Sequence, residues 1–572
     1  MERRTRQRIT WGVGMLLSAL ALLLLWIVMR NAARATSPKG PASSRVNAHE
    51  AVQAGERQAL TPEFVRKHTC EGNVVAVTWA NSAIADMLDS WMKRMRLRAG
   101  VECFIVGALD MELYDALSAR SEPVFALFSS KHHALRATIR WGSASFKAMG
   151  ATKVWLIRTL AEFGVNTLIS DADCAFMRDP FPFLNQFSGA DLLISSDAMH
   201  HTDGSTSGYQ LERYPKAFAD LNLGQMFVRP SAAPFLRSWE RSLASSTGKR
   251  MWDQQVLNQL IKRGLDRRSE DSNRLLTSKH RNFTLTFGVL PCILFQNGHV
   301  AFVQRLHEKY NVSAISAHTT HQFSGTIGKR HRMREAMLFE DSEDWYTPAN
   351  GLMSFDNPLP QRLLNAEQTL DTHFELVHLQ LKRYRSALGV AIALNRTLIL
   401  SAPSICGHDR WWAPHNGRIP GSELKLPFRC PADHVLNLPF LHRNFDERSR
   451  YGPSIALREH SLLQNPRAPG HVKRSIARLD AKDAKDSYNL SALIEPHSTD
   501  KQLLRQLSQD ILSAQVLHFR SIDRIFAGFE SLTTQRQWIN RVRDSTSIYC
   551  CVRSKKPGHI RYDALKGMFN RR

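Results

Sequence analysis

The sequence is short of acidic residues, and it lacks the motifs that basic nucleic-acid-binding proteins carry. Its 76 Lys and Arg outnumber its 52 Asp and Glu, which gives a formal net charge of +24. It has no zinc-ligand spacing, no RNA-binding aromatic motif and no basic region joined to a heptad repeat, so we expect no nucleic-acid partner. The excess positive charge is then either a solvated surface or part of a pocket that neutralises a diphosphate.

Low-complexity tracts are absent as well, and the 43% hydrophobic composition is that of a globular protein, which excludes general disorder. One uncharged stretch, residues 11–29, is long enough to cross a bilayer as a helix. Arginines precede it and favour a cytosolic N-terminus. A cleaved signal peptide is the competing interpretation, but the stretch exceeds an ordinary signal core and Arg34 would lie inside the cleavage site. We therefore predict a cytosolic tail (1–10), a transmembrane signal anchor (11–29) and a stem (30–66).

Cysteine is scarce, but its eight copies make an even number, which suits disulfide pairing in an oxidising compartment. Four glycosylation sequons, at Asn282, Asn311, Asn395 and Asn489, agree with a luminal location. The pairing cannot be read from the sequence. We expect Cys174 to be a free buried thiol, and the adjacent Cys550 and Cys551 to pair with different partners.

Downstream of about residue 73, short apolar runs alternate with stretches of helical period. Ile84, Met87, Leu88, Trp91 and Met95 recur with the spacing of an amphipathic helix, between strands at 74–78 and 103–106. Further helices are predicted at 145–163, 235–243 and 254–262, and further strands at 167–170, 191–195 and 224–228. This alternation predicts an open, largely parallel α/β sheet in a first domain (67–340). A helix through 381–392 that leads into a strand at 397–400 predicts a second α/β domain (341–572).

Asp171-Ala172-Asp173 follows a predicted strand, at the position where open α/β sheets bind ligands. Two carboxylates one residue apart can hold Mg²⁺ or Mn²⁺ together with a ribose hydroxyl. Such a cation absorbs the charge that builds on a departing diphosphate. The spacing alone is weak evidence, because Asp110-Met111-Glu112 and Asp341-Ser342-Glu343 share it, and solvated loop carboxylates are the alternative. The apolar strand before this pair and the turn after it favour the metal site.

A further ligand is expected from the segment 318–329, which contains His318 and His321, glycines and Lys329. Imidazole can complete a Mn²⁺ shell, and a lysine next to glycine can approach phosphate oxygens. Both histidines are candidates for the ligand, and a surface or packed histidine is the alternative.

Several separate stretches resemble the plant nucleotide-diphospho-sugar transferases of glycosyltransferase family 77, above all the extensin arabinosyltransferases. In the first domain they are Thr78-Trp79-Ala80-Asn81, Asp171-Ala172-Asp173, Asn222-Leu223-Gly224, Trp252-Asp253-Gln254 and His318-Thr319-Thr320 with the run 328–332. In the second they include Asp409-Arg410-Trp411-Trp412 and Pro427-Phe428-Arg429-Cys430-Pro431. The resemblance covers nearly the whole chain beyond the stem.

The resemblance implies a GT-A (Rossmann-like) domain with a C-terminal α/β domain, in a type II Golgi membrane protein. It also implies a metal-dependent, retaining transfer of L-arabinofuranose from UDP-arabinofuranose to arabinosylated hydroxyproline of cell-wall glycoproteins. Asp171, Asp173 and His318 would hold Mn²⁺ (or Mg²⁺). Lys153 and Lys329 would contact the diphosphate, and Thr78, Trp79 and Asn81 the uridine. Complexes with other Golgi transferases are a further expectation.

The mechanism is less constrained by the sequence. His321 stands where the family usually has an aromatic residue, so the choice between the two histidines stays open. A retaining transferase uses either the departing phosphate or a short-lived enzyme nucleophile. We place Asp197, Asp253 and Gln254 near the sugar as candidate catalytic residues, with helix-cap and turn roles as the alternative.

Three other functions remain. The first is a different donor sugar, xylose or galactose, on the same fold. The second is a non-catalytic luminal protein that binds glycans or organises a complex. The third is a lectin-like role for the second domain through Trp411 and Trp412, although buried tryptophans at a domain interface fit that pattern better.

Overall fold

The structure is a computed structural model that describes residues 57–127, 143–201, 210–213, 220–245, 251–409, 416–484, 489–548, 560–563 and 568–569. The predicted tail, anchor and most of the stem, the Trp411-Trp412 pair, and Cys550 and Cys551 lie outside these ranges. Residues 58–572 form one compact unit. Within the described ranges, no helix combines the length and apolar character needed to span a membrane.

The first half of the unit contains one large and one small sheet. In chain order its strands are β1 (Val74–Ala80), β2 (Phe104–Ala108), β3 (Val124–Ala126), β4 (Asn166–Ser170), β5 (Cys174–Phe176), β6 (Leu192–Ser196), β7 (Leu221–Val228), β8 (Leu265–Asp266), β9 (Leu276–His280), β10 (Phe283–Val289), β11 (Phe295–Gln296) and β12 (Ser316–His318). The large sheet has the order β3-β2-β1-β4-β7-β6-β10-β9-β8, and the small sheet has the order β11-β12-β5.

The large sheet is mixed, so the expectation of a largely parallel sheet is wrong. Strands β1 to β4 are parallel neighbours, but β7 runs antiparallel to both β4 and β6, and β8, β9 and β10 form an antiparallel meander. Every residue of β7 is buried. A strand that is covered on both faces is a continuous apolar run whichever way it points, so its direction could not be read from the sequence.

Helices cover both faces of this sheet. In chain order they are α1 (Pro62–Lys67), α2 (Ala85–Arg94), α3 (Met111–Ala119), α4 (Ala144–Glu162), α5 (Phe181–Leu184), α6 (Ala233–Ala244), α7 (Asp253–Gly264), α8 (Leu306–Lys309) and α9 (Gly325–Glu335). The predicted strands and long helices are confirmed to within a few residues at each end.

Strand β4 is held rigidly in the middle of the sheet. Leu168 packs into the core on one face and Ile169 into the core on the other, and both are fully buried. Burying a large aliphatic side chain stabilises the fold by about 1.5–3 kcal/mol. The residues that follow β4 therefore leave the sheet from a fixed point.

The second half is built on a parallel sheet of order β17-β14-β13-β21-β18-β19. Its strands are β13 (Leu352–Phe355), β14 (Thr397–Ile399), β15 (Ser404–Cys406), β16 (Phe428–Cys430), β17 (Leu457–Arg458), β18 (Ile476–Ala481), β19 (Ala492–Ile494), β20 (Ser498–Thr499), β21 (Val516–Phe519), β22 (Phe526–Gly528), β23 (Ser547–Ile548), β24 (Ile560–Asp563) and β25 (Met568–Phe569). Its helices are α10 (Gln361–Leu364), α11 (Leu370–Ala393), α12 (Leu438–Leu441), α13 (Gly470–Arg474), α14 (Asp500–Gln506), α15 (Gln509–Ser513), α16 (Ile522–Ile525) and α17 (Leu532–Ser545).

Two disulfides tie local segments together. One joins Cys70 to Cys103, and the other joins Cys406 to Cys430 across the β15–β16 pair. Cys174 and Cys292 are free and buried, which confirms the prediction for Cys174.

Candidate active site

Asp171 and Asp173 lie in the turn that links β4 to β5, so they project from the end of the central sheet. The Asp171 backbone N–H donates to the carbonyl of Gly224 at 2.9 Å, which fixes the turn against β7. The side chain of Asp171 is about one-third exposed (32%), whereas that of Asp173 is buried (7%). One carboxylate thus faces the open side of the site, and the other forms its base.

His318 ends β12, directly opposite Cys174 of β5, and this register brings its ring to the carboxylate pair. Its Nε2 lies 3.4 Å from Asp173 Oδ1 and 3.7 Å from Asp171 Oδ2. A Cβ atom on Gly224 would lie only 2.0 Å from the ring's Cε1. The imidazole therefore occupies space that only a glycine in β7 leaves open.

The three predicted metal ligands thus converge on one point, and the neighbouring thiol does not compete with them. A sulfur atom of Cys174 is close enough to form a cluster with Asp173 and His318, whose candidate ligand atoms lie within 4.8 Å of one another. Burial, and then the nearby Asp173 and Asp171, raise the pKa of Cys174 well above its usual range, so it remains a thiol that donates to the Gly224 carbonyl. Metal binding by cysteine needs the thiolate. Carboxylate oxygens and an imidazole suit a hard cation such as Mg²⁺ or Mn²⁺.

Two lysines bring positive charge to the same carboxylates. Lys329 Nζ, on α9, lies 2.7 Å from Asp173 Oδ2. Lys153, on α4, donates to Asp171 Oδ1 and to the Leu223 carbonyl, each at 2.9 Å. Burial opposes ionisation of both Asp173 and Lys329, but their mutual attraction prevails, so the pKa of Asp173 falls well below its usual range and the pKa of Lys329 rises.

The residues predicted to face the uridine close β1 beside this lysine. The Lys153 ammonium lies 4.7 Å from the centre of the Trp79 ring, within range of a cation–π contact. Thr78 is fully buried, and its Oγ1 has no hydrogen-bond partner among the described residues. Asn81 is buried directly after β1. The structure therefore brings Trp79 to the carboxylate–lysine cluster through Lys153.

Asp197 follows β6 and contacts the second candidate histidine. Asn222 Nδ2 donates to Asp197 Oδ1 at 2.9 Å, and His321 Nε2 lies 3.5 Å from the same oxygen. Burial opposes ionisation of Asp197, but the hydrogen bonds from His321 and Asn222 outweigh it and lower the pKa. His321 thus faces Asp197, while His318 faces the carboxylate pair.

Asp253 and Gln254 are the first two residues of α7, which contacts β7. Burial is the main cause of a raised pKa at Asp253, which Lys153 only partly opposes. Gln254 Oε1 accepts a hydrogen bond from the Leu223 backbone N–H at 3.4 Å, next to Gly224. The pKa values of Asp197 and Asp253 are therefore shifted in opposite directions, which favours an ionised Asp197 and a more readily protonated Asp253.

The two other acidic pairs of equal spacing have structural partners. Asp110 accepts a hydrogen bond from the Leu113 backbone N–H at 2.9 Å and so caps α3. Asp341 is bound by Arg334, with the closest nitrogen–oxygen distance 2.6 Å. Both are framework residues, and neither pair is part of the cluster around His318.

The segment that carries His321 is anchored by a residue that the sequence did not single out. Asp433, in the second half, is completely buried and accepts hydrogen bonds from Arg332 of α9 and from the Phe323 backbone N–H at 3.0 Å. Arg332 also donates to the carbonyl of His321 at 3.1 Å. No local pattern distinguishes Asp433, because it acts on partners about a hundred residues earlier. Thr319 donates to Asp173 Oδ2 at 3.0 Å, a role that its place in the His318-Thr319-Thr320 motif does not indicate.

Comparison with known proteins identifies the family. The nucleotide-diphospho-sugar transferase model matches residues 99–333. The arabinosyltransferase XEG113 of Arabidopsis thaliana is 34% identical over 515 residues, which cover 88% of this chain and 78% of that protein. The chain belongs to the nucleotide-diphospho-sugar transferases of glycosyltransferase family 77. This family 77 protein is therefore a glycosyltransferase, as the resemblance predicted.

Further matches to the family 77 protein are shorter or structural only. The β-arabinofuranosyltransferase RAY1 of Arabidopsis thaliana is 30% identical over 132 residues, 23% of this chain and 24% of that protein. Among solved structures, the galactosyltransferase LgtC in complex with donor and acceptor sugar analogues has 15% identity and a TM-score of 0.29, over 47% of this chain and 98% of that one. Nucleotide-diphospho-sugar transferases, the family whose model matches this chain, generally use a divalent cation and a nucleotide-sugar donor.

Proposed function

We propose that this family 77 protein transfers L-arabinofuranose from UDP-arabinofuranose to arabinosylated hydroxyproline of cell-wall glycoproteins, with retention of anomeric configuration. One observation carries the proposal: Asp171, Asp173 and His318 converge at the end of the central sheet with the ammonium groups of Lys153 and Lys329 beside them. The choice of arabinose is supported by the names of the two Arabidopsis relatives, an arabinosyltransferase and a β-arabinofuranosyltransferase.

The two aspartates and His318 would hold Mn²⁺ or Mg²⁺, which would supply compensation for the negative charge of the departing diphosphate. Lys329 and Lys153 already lie against the carboxylates and provide positive charge at the same place, where phosphate oxygens can accept hydrogen bonds from them. Trp79, beside Lys153, and Asn81, directly after β1, are the residues that we assign to the uridine. Asp197, held ionised between Asn222 and His321, is the residue that we assign to the acceptor side.

We also propose a luminal, Golgi address with an N-terminal signal anchor. Two disulfides support an oxidising compartment. All four sequon asparagines, Asn282, Asn311, Asn395 and Asn489, are exposed at the surface, where a glycosylation enzyme could reach them. These observations support a luminal location, and the Golgi address rests on the resemblance to the family.

A donor screen tests the sugar. The full-length enzyme is incubated with an arabinosylated hydroxyproline peptide and with UDP-arabinofuranose, UDP-xylose or UDP-galactose, each with and without Mn²⁺. We expect transfer from UDP-arabinofuranose and a loss of transfer after chelation. A preference for UDP-xylose or UDP-galactose would replace the proposed donor and leave the transferase assignment intact.

Replacement of Asp173 by asparagine tests the site. Asp173→Asn keeps the shape and an acceptor for Thr319 but removes the charge, so we expect transfer to fall by at least about 100-fold, as for the loss of other transition-state electrostatic contacts. Glu112→Gln, an exposed member of another acidic pair, is the matched control and should retain full activity. Turnover by Asp173→Asn at the wild-type rate would refute the assignment of Asp173 to the metal.

A further inference from the structure

A cavity of about 740 Å³ is lined by residues of both halves, and neither Asp171 nor Asp173 is among them. Its wall includes Met177, Phe302 and Leu338 from the first half and Leu359, Pro403 and Pro431 from the second. None of the residues assigned above to metal, donor or catalysis lines it. Its volume falls within the range of ligand sites, about 300–1,000 Å³.

The cavity and the active site share two elements. Successive residues of a strand point to opposite faces, and in β12 His318 reaches the acid pair while the preceding Ala317 lines the cavity. In α9, Lys329 contacts Asp173 while Glu335, six residues later, lines the cavity. Six residues of helix correspond to about 9 Å along its axis. A ligand in the cavity therefore ends close to the transfer site without entering it.

Most charged groups in the wall already have an oppositely charged partner. Arg332 is paired with Asp433, and the Arg305 guanidinium donates to Glu308. Glu335 lies 3.3 Å from Nε2 of His331 on the same helix. Among the residues that the structure describes, the wall thus offers no uncompensated cluster of one sign, which disfavours a phosphate-bearing or strongly charged ligand.

Two polar side chains in the wall are left to bind something else. Arg429 and Gln464 are exposed, and neither side chain has a hydrogen-bond or ion-pair partner in the ranges that the structure describes. Both can donate hydrogen bonds, and they stand beside an apolar surface of prolines, leucines and a phenylalanine. Such a wall suits a neutral ligand with apolar rings and hydrogen-bond acceptors.

We propose that this cavity binds the hydroxyproline-rich peptide of the acceptor, next to the sugar that receives arabinose. This rests on the proposed function for the acceptor class. The backbone of a prolyl chain has carbonyls but no N–H, so it can only accept hydrogen bonds, which Arg429 and Gln464 can donate. Its rings pack on apolar surfaces as an extended helix that rises about 3.1 Å per residue. About three residues of peptide span the 9 Å between the cavity wall and the Lys329 position.

Direct binding of a peptide tests the proposal without any transfer reaction. An unglycosylated oligo-hydroxyproline decapeptide is titrated calorimetrically into the full-length protein, and a Gly-Ser decapeptide serves as the reference ligand. We expect binding of the hydroxyproline peptide only. Ala402→Trp, which fills the cavity from an exposed wall position, and Arg429→Ala, which removes the unpaired guanidinium, should each raise its Kd at least tenfold.

Matched variants outside the cavity are Ala119→Trp at an exposed helix end and Arg536→Ala at an exposed arginine on α17, and both should bind like the wild type. In transfer assays, Ala402→Trp should raise KM for a glycopeptide acceptor about tenfold and change kcat less than twofold. Its hydrolysis of UDP-sugar in the absence of acceptor should stay at the wild-type rate.

The outcomes separate this inference from the donor assignment. Unchanged peptide affinity in both cavity variants, or no affinity of the wild type for the hydroxyproline peptide, overturns the cavity proposal even if arabinose is transferred. Conversely, cavity-dependent peptide binding by an enzyme that prefers another UDP-sugar supports the cavity and rejects the proposed donor.

Discussion

At the scale of single residues, His318 is positioned by backbone more than by side chains. Its Nε2 is within 3.7 Å of both carboxylates, and the other side of its ring rests against the bare Cα of Gly224 in β7. The same glycine's carbonyl accepts hydrogen bonds from the Asp171 backbone and from Cys174. One residue without a side chain thus sets both the turn of the acid pair and the place of the imidazole.

Gly224→Ala should therefore disable the site while leaving the fold in place. A Cβ atom 2.0 Å from the His318 ring forces the imidazole away from the carboxylates. We expect activity to fall by about 100-fold, the effect of a displacement of roughly 1 Å in a catalytic group. Activity and circular dichroism of the purified variant give the answer.

Gly189→Ala is the matched control, because its new methyl group would meet Leu275 at an ordinary 3.6 Å. It should stay within about twofold of the wild type, since an ordinary contact costs little. If Gly224→Ala were as active as Gly189→Ala, the position of His318 would not matter for transfer.

At the scale of elements, helix α9 contains the basic run at 328–332. From the sequence, this positive charge could belong either to a solvated surface or to a phosphate pocket. Each lysine and arginine of the helix has its own acidic partner on another segment. The pairs are Lys329 with Asp173, Arg330 with Asp86, Arg332 with Asp433 and Arg334 with Asp341. The run is therefore a junction in which one helix joins several segments, with Lys329 alone at the active site.

The buried pair His331–Glu335 on this helix makes stability depend on pH. Burial opposes the charge of His331, but Glu335 outweighs it and raises the pKa of His331, and the pKa of Glu335 falls to about 2. The neighbouring His442 has its pKa lowered to about 3 by burial and by His331, so it stays neutral near pH 7. The contribution of the His331 charge to the free energy of unfolding is fully present below the pKa of His331 in the unfolded chain. It is lost as the pH rises through the raised pKa of His331 in the folded protein.

His331→Gln should consequently destabilise the protein more at pH 6 than at pH 9, with the Tm difference from wild type larger by at least about 2 °C at the lower pH. His471→Gln, at an exposed position on α13, should show no such dependence. Equal losses of Tm at both pH values for His331→Gln would mean that the pair contributes through packing alone.

The sequence predicted most elements, and it singled out three residues whose side chains the structure brings together. Strands and helices with clear apolar periods, such as β4 and α4, are confirmed because local burial determines their pattern. Asp171, Asp173 and His318 were found because each belongs to a short motif. The direction of β7 was not predictable, since a strand buried on both faces has no alternation. Its register nevertheless places Gly224 beside His318.

At the scale of the whole molecule, the second half supports the candidate active site through a buried ion pair. Asp433 and Arg332 are both completely enclosed, and they hold the backbone of Phe323 and His321. Removing one member of a buried pair costs about 3–5 kcal/mol because the other charge remains unpaired. This contact joins residues far apart in the sequence, which is why motif reading missed it.

Asp433→Asn should lower both stability and kcat, because the His321 segment loses its anchor along with the charge pair. Glu340→Gln removes the charge of another buried carboxylate, which contacts Arg94 and Arg467 and neither Asp171 nor Asp173, and it serves as the control. We expect comparable losses of Tm in the two variants but a fall in kcat of about tenfold only in Asp433→Asn. Steady-state kinetics below both melting temperatures distinguish them, and equal kcat values would limit Asp433 to a structural role.

The ion pair between Arg332 of α9 and Asp433 also limits how far this enzyme can be truncated. A fragment that stops after the nucleotide-sugar fold would retain Arg332 without its counter-charge and would expose the inner wall of the 740 Å³ cavity to water. Efforts to miniaturise the protein, or to exchange its catalytic half with that of a relative, should therefore carry the chain through at least the 427–434 segment.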